Sequence, residues 1–246
     1  MKAYLDTNII SAIEDGEYSL DKIIKIDKSI VQFPYSAAHI QEASNISGTE
    51  RVLSRLETIR EISKYNYLYH EVATRNVITT LADPIDVWET IHEVSIGKLA
   101  IGLFTNLFPH DVRNQIIIDL GIDINRINNY TPTEVIDHLN LKIKTFHDVS
   151  MMGLIDQAIG LFPDSSNFGL HNKMAGMLEL TDMLGYWKDR QTDKSNTARF
   201  WDANHCYYAT ACDYFISDDK RNRYKARVVY EIYNQRTIVI SSDGKP

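Results

Sequence analysis

The sequence predicts an α/β protein: a small, mostly parallel sheet flanked by helices and enlarged by an all-helical insertion. Three observations predict it. Short apolar runs that suit buried strands stand at Lys2–Leu5, Ser29–Tyr35, Tyr214–Ile216 and Thr237–Ile240, near the two ends of the chain. The first three are each followed by a helical pattern, the alternation that parallel strands need. Between about Thr49 and Trp187, apolar residues instead recur at three- and four-residue spacing. The expected division is therefore a sheet-bearing core from residues 1–45 and 190–246, with a helical insertion at 46–189.

Taken in order, Lys2–Leu5 is the first strand, and Asp6 precedes a helix over Ile9–Glu14. Ser29–Tyr35 carries Ile30, Val31 and Phe33, and Ser36 is a good N-cap for the helix from Ala37 through Glu42. In the insertion the helical stripes are Val52, Leu56, Ile59 and Ile62; then Val87, Ile91 and Val94; then Val112, Ile116 and Leu120; then Val135, Leu139 and Ile143. Pro84, Pro109 and Pro132 fall where new helices begin. Tyr65, Tyr67 and Tyr69 alternate as a strand would and have no place in this helical scheme. Phe104, Leu107 and Phe108 read as core, and His138 and His147 as packing or surface residues. Asp189–Thr197 is a polar loop, Phe200–Ala211 a helix carrying Asp202, and Lys220–Asn234 a basic helix.

Composition narrows the function. The chain has 246 residues and a formal net charge of −7, with 44% hydrophobic and 24% charged residues, near globular averages. Non-specific coating of nucleic acid calls for a basic protein, so an acidic one that acts on phosphates needs a metal and locally grouped cations. The two cysteines, Cys206 and Cys212, form neither a disulfide scaffold nor a CxxC zinc knuckle. The opening residues carry no apolar leader, and no apolar run is long enough to span a bilayer. A cytoplasmic protein that does not contact membranes is expected.

Candidate chemistry lies where open parallel sheets bind ligands, beyond the carboxyl ends of strands. Asp6 directly follows the first strand, and Asp218 and Asp219 follow Tyr214–Ile216. Glu42 and Asp202 sit on helices expected near those ends. Several carboxylates facing one point repel one another and are costly to desolvate, a cost that a bound cation or shared protons offset. All-oxygen ligation suits Mg²⁺ or Mn²⁺. The plainer alternative is that Asp6 and Asp219 only cap helices.

Four segments resemble a PIN domain. Tyr4-Leu5-Asp6-Thr7-Asn8 is similar to the family's opening strand and acid, and Tyr35–Glu42 to its Ser-started helix ending in Glu. Asp202–Ala211 resembles the third segment, an Asp on an Ala-rich helix, and Asp213–Arg221 the strand that runs into Ser-x-Asp. The resemblance covers about the first 45 and the last 50 residues. It implies a metal-dependent nuclease, most often an endoribonuclease, with Mg²⁺ or Mn²⁺ held by Asp6, Glu42, Asp202 and Asp219. Asp218 competes with Asp219 for the last place. Thr7, Asn8 and Ser217 would orient the carboxylates or the metal-bound water. The expected partner is nucleic acid, RNA before DNA. The insertion would supply a substrate groove, a homodimer surface or a docking arm for a regulatory protein, as in a partner-restrained toxin or defence nuclease. A PIN-like binding module without activity is the competing reading.

Lys220, Arg221, Arg223, Lys225 and Arg227 crowd the helix after the fourth acid, either a track for flanking phosphates or a solvated face with a few surface ion pairs. The pairs His39-x-x-Glu42 and Asp202-x-x-His205 could suggest a di-iron bundle, but a strand-end Asp6 does not belong to one, and the histidines read as hydrogen-bonding spacers beside the acids. A haloacid-dehalogenase-type phosphatase would need an acid two residues after Asp6, where Asn8 stands. P-loop, dinucleotide-binding and nucleophile-elbow motifs are missing from the sequence.

Overall fold

Buried on both faces, a strand reads as a continuous apolar run, and Ala3–Leu5 (β1) is buried at all three positions. In the computed structural model, which describes residues 1–91, 110–145, 148–162, 168–190 and 193–246, the chain divides into two units. The first comprises Met1–Ser95, Asn204–Arg223 and Arg236–Pro246. The second comprises Ile96–Ala203 and Tyr224–Gln235.

The first unit is α/β. β1 pairs in parallel with β5 (Tyr214–Ile216), and β5 pairs in parallel with β6 (Ile238–Ile240), so that Tyr4, Phe215 and Val239 lie side by side. On the other side of β1, Lys2 bridges in parallel to Gln32, and Ala3 N donates to the Gln32 carbonyl at 2.9 Å. From β1 the chain thus goes first to the Gln32 side and much later to the β5 side. The strand order reverses between β1 and β5. Side chains alternate across the sheet: Ala3 and Leu5 join Ile9, Ile23, Ile40, Leu56, Ile59 and Ile216 in one apolar core, while Tyr4 and Phe215 share the opposite face, their rings 6.1 Å apart. Each fully buried residue of this size contributes about 1.5–3 kcal/mol.

Three helices start beyond the carboxyl end of a strand, two of them in this sheet and one in the next. Thr7–Glu14 (α1) follows β1, and Leu20–Ile24 (α2) leads back towards Gln32. Ala37–Ser44 (α3) follows the two-residue strand Tyr35–Ser36 (β2), and Lys220–Ile232 (α12) follows β5, crossing into the second unit after Arg223. Thr49–Ser63 (α4) buries the expected stripe of Val52, Leu56, Ile59 and Ile62.

The all-helical expectation for 46–189 is corrected by a hairpin. Asn66–Glu71 (β3) pairs in parallel with β2 and antiparallel with Asn76–Leu81 (β4). The tyrosine alternation was its signal. Tyr67 is buried against Tyr35, with ring centroids 5.0 Å apart, whereas Tyr65 and Tyr69 are exposed. β4 is rich in β-branched residues, which favour a pleated strand over a helix. Pro84–Ile91 (α5) begins at its proline as expected. The first unit therefore runs well past residue 45.

The second unit is helical where it is described. His110–Asp119 (α6), Ile124–Ile127 (α7), Pro132–Lys144 (α8), Met151–Gly160 (α9) and Leu170–Met183 (α10) belong to it, with most of Asp193–Ala209 (α11). The expected polar loop thus ends by Asp193, where α11 begins. α8 buries Val135, Leu139 and Ile143 behind a Thr131–Glu134 capping box. On α6 the predicted stripe is off by one position. Ile117 and Arg113 face inward and Val112 is exposed, because Arg113 is drawn to Glu179 and Asp182. That pair belongs to a buried ionic group. Lys225 donates to Asp182 at 3.1 Å and also binds Asp189, and Arg199 binds Glu179 at 2.9 Å. Val94, Phe104, Leu107, Phe108, Pro109 and His147 lie outside the described residues.

Candidate active site

Asp6 ends β1 and caps α1. Its main-chain N–H continues the ladder by donating to the Ile216 carbonyl at 2.8 Å, and its Oδ1 accepts the Thr7 N–H at 2.7 Å. The other oxygen, Oδ2, accepts from three side chains: the Ser217 hydroxyl at 2.5 Å, the Asn8 carboxamide at 2.9 Å and the Asn222 carboxamide at 3.3 Å. These donors come from both sides of the β1–β5 reversal. Asp6 is 4% exposed. Burial raises its pKa despite the opposing influence of His205 and Ser217, and the negative charges of Glu42 and Asp219 add to the rise.

Glu42 reaches the same neighbourhood from α3. Its Oε2 accepts from the Thr7 hydroxyl and from His205 Nε2, the latter at 2.8 Å. Burial alone would raise its pKa, but His205 and Thr7 together hold it below the usual carboxylate value. His205 is driven the other way. Burial works against its charge, yet Glu42 and Asp6 keep its pKa above the ordinary imidazole value. The helical His–acid pairs of the sequence are therefore crossed. Glu42 binds His205, not His39, whose Nδ1 accepts the Ser36 N–H at 3.0 Å and whose Nε2 meets the Leu5 carbonyl at 2.8 Å.

The Asp-Asp doublet separates cleanly. Asp218 is tied to the chain after β6, accepting from Ser242 N–H at 2.9 Å and from the Ser242 hydroxyl at 2.8 Å. Asp219 accepts the Arg221 N–H at 2.7 Å and the Asn222 N–H at 3.2 Å on Oδ1, capping α12. It is Asp219 whose charge bears on Asp6. Ser217 links the set: its buried hydroxyl donates to Asp6 and accepts from Asn8 at 3.1 Å and from Asp219 N–H at 3.1 Å. Asn8 closes the clamp by accepting the Asp218 N–H at 3.1 Å.

Asp6, Thr7, Asn8, Glu42, Ser217 and Asp219 are thus brought together. Both capping roles foreseen for Asp6 and Asp219 are also present. Asp202 belongs to the second unit, on α11, where its negative charge helps to raise the pKa of the buried Lys225.

The phosphate track is corrected in part. Lys220 and Arg221 are exposed, but Arg223 is buried and donates to the Ser217 carbonyl at 2.7 Å, and Lys225 is buried between Asp182 and Asp189. Two residues apart, they point to different sides of the helix: Arg223 is held by a main-chain carbonyl, and Lys225 neutralises internal carboxylates. Arg227 lies 5.6 Å from the Tyr224 ring centre.

Sequence reasoning missed Tyr4, whose hydroxyl meets Ser36 Oγ at 2.6 Å and His205 Nδ1 at 2.7 Å, and Asn222. Asn222 stands three residues after a capping Asp, the helical position that turns back towards the cap. That spacing was the available signal.

A hard divalent ion fits this donor set by its chemistry. Among the described residues, the hydrogen bonds of Glu42 fall on Oε2 and those of Asp219 on Oδ1, while Asp6 Oδ1 takes the Thr7 N–H alone. Each acid thus has one oxygen anchored by the protein and one left less committed, the pattern of ligands oriented from behind. Among the described residues, no three His, Cys, Asp or Glu side chains already stand as a ligand cage. No family model, curated protein or solved structure matches the chain.

Proposed function

We propose that the chain is a metal-dependent nuclease with a PIN-like core, most simply an endoribonuclease, using Mg²⁺ or Mn²⁺. One observation carries this reading: carboxylates from three separate segments, a buried Asp6, a half-buried Glu42 and an exposed Asp219, are tied by hydrogen bonds and charge to one neighbourhood at the reversal of a parallel sheet. Ligands of open α/β sheets sit in that crevice. Asp6, Glu42 and Asp219 would hold the ion. Such an ion supplies a nucleophilic water at neutral pH and neutralises charge on a phosphodiester.

The chain's own residues do the rest. Ser217, Asn8 and Asn222 fix Asp6 by Oδ2, and Thr7 and His205 fix Glu42 by Oε2. Their work is to keep like charges apart by less than free rotation would allow, with the orientation set before substrate arrives. Lys220 and Arg221, exposed at the start of α12, are suited to flanking phosphates, which position a strand without reading its bases. Of the same basic run, Arg223 and Lys225 are committed inside the protein, so binding by this helix should rest on few phosphate contacts and depend weakly on salt.

The test is incubation of the protein with end-labelled single-stranded RNA and DNA, in Mn²⁺ and in EDTA. Internal cleavage of RNA in Mn²⁺, lost in EDTA and in Asp6→Asn, is the expected result. Cleavage that survives both changes refutes the nuclease assignment. Tight RNA binding without cleavage in Mn²⁺ would instead favour the binding-module reading.

A further inference from the structure

Behind the acids lies a buried row of hydrogen bonds that the proposed chemistry does not itself require. Its members are Ser36, Tyr4, His205 and Glu42, from β2, β1, α11 and α3, all in the first unit. Ser36, Tyr4 and His205 are at most 1% exposed.

The donors and acceptors can be assigned in sequence. Thr7 has one hydroxyl proton, and it goes to Glu42 Oε2. His205 Nε2 lies 2.8 Å from that same carboxylate oxygen and 3.1 Å from the Thr7 oxygen, so Nε2 carries a proton and donates. His39 Nδ1 accepts a main-chain N–H from Ser36, which makes His39 Nε2 the donor to the Leu5 carbonyl. The Tyr4 hydroxyl therefore has Ser36 Oγ at 2.6 Å and His205 Nδ1 at 2.7 Å as its close partners. With a neutral ring the row runs one way: Ser36 O–H to Tyr4, Tyr4 O–H to His205 Nδ1, His205 Nε2–H to Glu42. Tyr4 and Ser36 fix which nitrogen of His205 faces the acid, and His205 fixes the acid.

We propose that His205, held by Tyr4 and Ser36, is the positioning residue that aims Glu42 at the metal. A histidine suits this place because one ring accepts from Tyr4 on one side and donates to a carboxylate on the other. The inference rests on the metal-dependent reading of the same acids. Outer partners that orient a ligand typically change metal affinity by about 10–100-fold when removed.

The experiment is Mn²⁺ titration calorimetry on the full chain, with melting curves in EDTA as a check of folding. Three variants decide it. Asp219→Asn keeps the helix cap, since Asn caps as well as Asp, but removes a ligand charge. His205→Gln places an amide N–H at the Nε2 position, and His205→Asn places it at the Nδ1 position. Asp219→Asn should lose Mn²⁺ binding. His205→Asn should weaken it at least about 10-fold, and His205→Gln should stay within about threefold of the wild type. Asp219→Asn binding like the wild type would overturn the metal reading and this inference with it. If Asp219→Asn fails to bind but His205→Asn binds like the wild type, the metal reading stands and the positioning role falls. Equal losses in the Gln and Asn variants, matched by equal drops in melting temperature, would assign His205 to packing alone and also overturn the proposal.

Discussion

Ser217→Ala is the sharpest perturbation of the first unit, because one buried hydroxyl makes three hydrogen bonds there. It donates to the Asp6 carboxylate at 2.5 Å and accepts from Asn8 and from Asp219 N–H, each at 3.1 Å. A hydrogen bond to a charged group contributes about 1.5–3 kcal/mol net. The Asn8 carboxamide keeps Asp6 as a partner and Asp219 N–H lies near solvent, so their losses add little. The expected cost is about 2–4 kcal/mol at pH 7, or roughly 5–15 °C in melting temperature for a chain of this size. The pH dependence follows from the raised pKa of Asp6. A raised carboxyl pKa means that stability is greatest below the unfolded value and is lost as pH rises through the folded one. Ser217 limits that loss by favouring the charged form. Its removal should therefore hurt most at pH 7–8 and progressively less as Asp6 becomes protonated in both proteins. Urea unfolding of the two proteins from pH 8 down to pH 4 measures this. A cost under about 0.5 kcal/mol at pH 7, or one that grows towards acid, would refute the reasoning.

Other consequences are equally direct. Lys225→Met removes the buried cation between Asp182 and Asp189, leaving the buried Asp182 with the more distant Arg113 and Arg199, and should destabilise the second unit by about 3 kcal/mol in thermal unfolding; a loss under about 1 kcal/mol would mean that those two arginines suffice. Tyr4→Phe removes a hydroxyl shared by Ser36 and His205 and should cost about 1–3 kcal/mol, a figure that chemical denaturation would contradict by showing no change. In metal-free buffer, the His205 ring protons followed by NMR should titrate above the usual value near 6.5, and the stability its charge brings should be complete below that value and fade as pH rises through the folded one. The Glu42 half of the pair behaves oppositely, holding at neutral pH and failing as acid reaches its lowered pKa. A His205 midpoint below 6 would contradict the pairing.

Three strands, β1, β5 and β6, and the acids at their ends were legible because buried parallel strands are short apolar runs, and because a ligand crevice demands polar residues directly after them. The strand expected at Ser29–Tyr35 was over-read, since there only Gln32 bridges to β1, Val31 is exposed and β2 begins at Tyr35. Asp6 and Ser217–Asp219 announce themselves by position. The hairpin was harder. Its outer strand is exposed along most of its length, so it lacks the clean alternation that marks a half-buried strand, and only the three tyrosines hinted at it. The α6 stripe was misjudged for a different reason: periodicity counts apolar residues, whereas Arg113 is buried by charge pairing. The same blindness affected the basic run on α12. Its spacing was visible, but whether a cation meets solvent or an internal carboxylate depends on residues some 40 positions away, as with Lys225 and Asp182. Tyr4 was hidden by its own hydrophobicity, since a tyrosine in a strand reads as core until its hydroxyl is seen to reach Ser36 and His205.

The central claim is that Asp6, Glu42 and Asp219 share a divalent ion. Anomalous scattering from a crystal soaked in Mn²⁺ tests it most directly. A peak within about 2.0–2.6 Å of oxygens from at least two of these acids is the predicted result. Carboxylates that stay bound only to their helix caps, Ser217 and His205 at saturating Mn²⁺, with no peak among them, would contradict it.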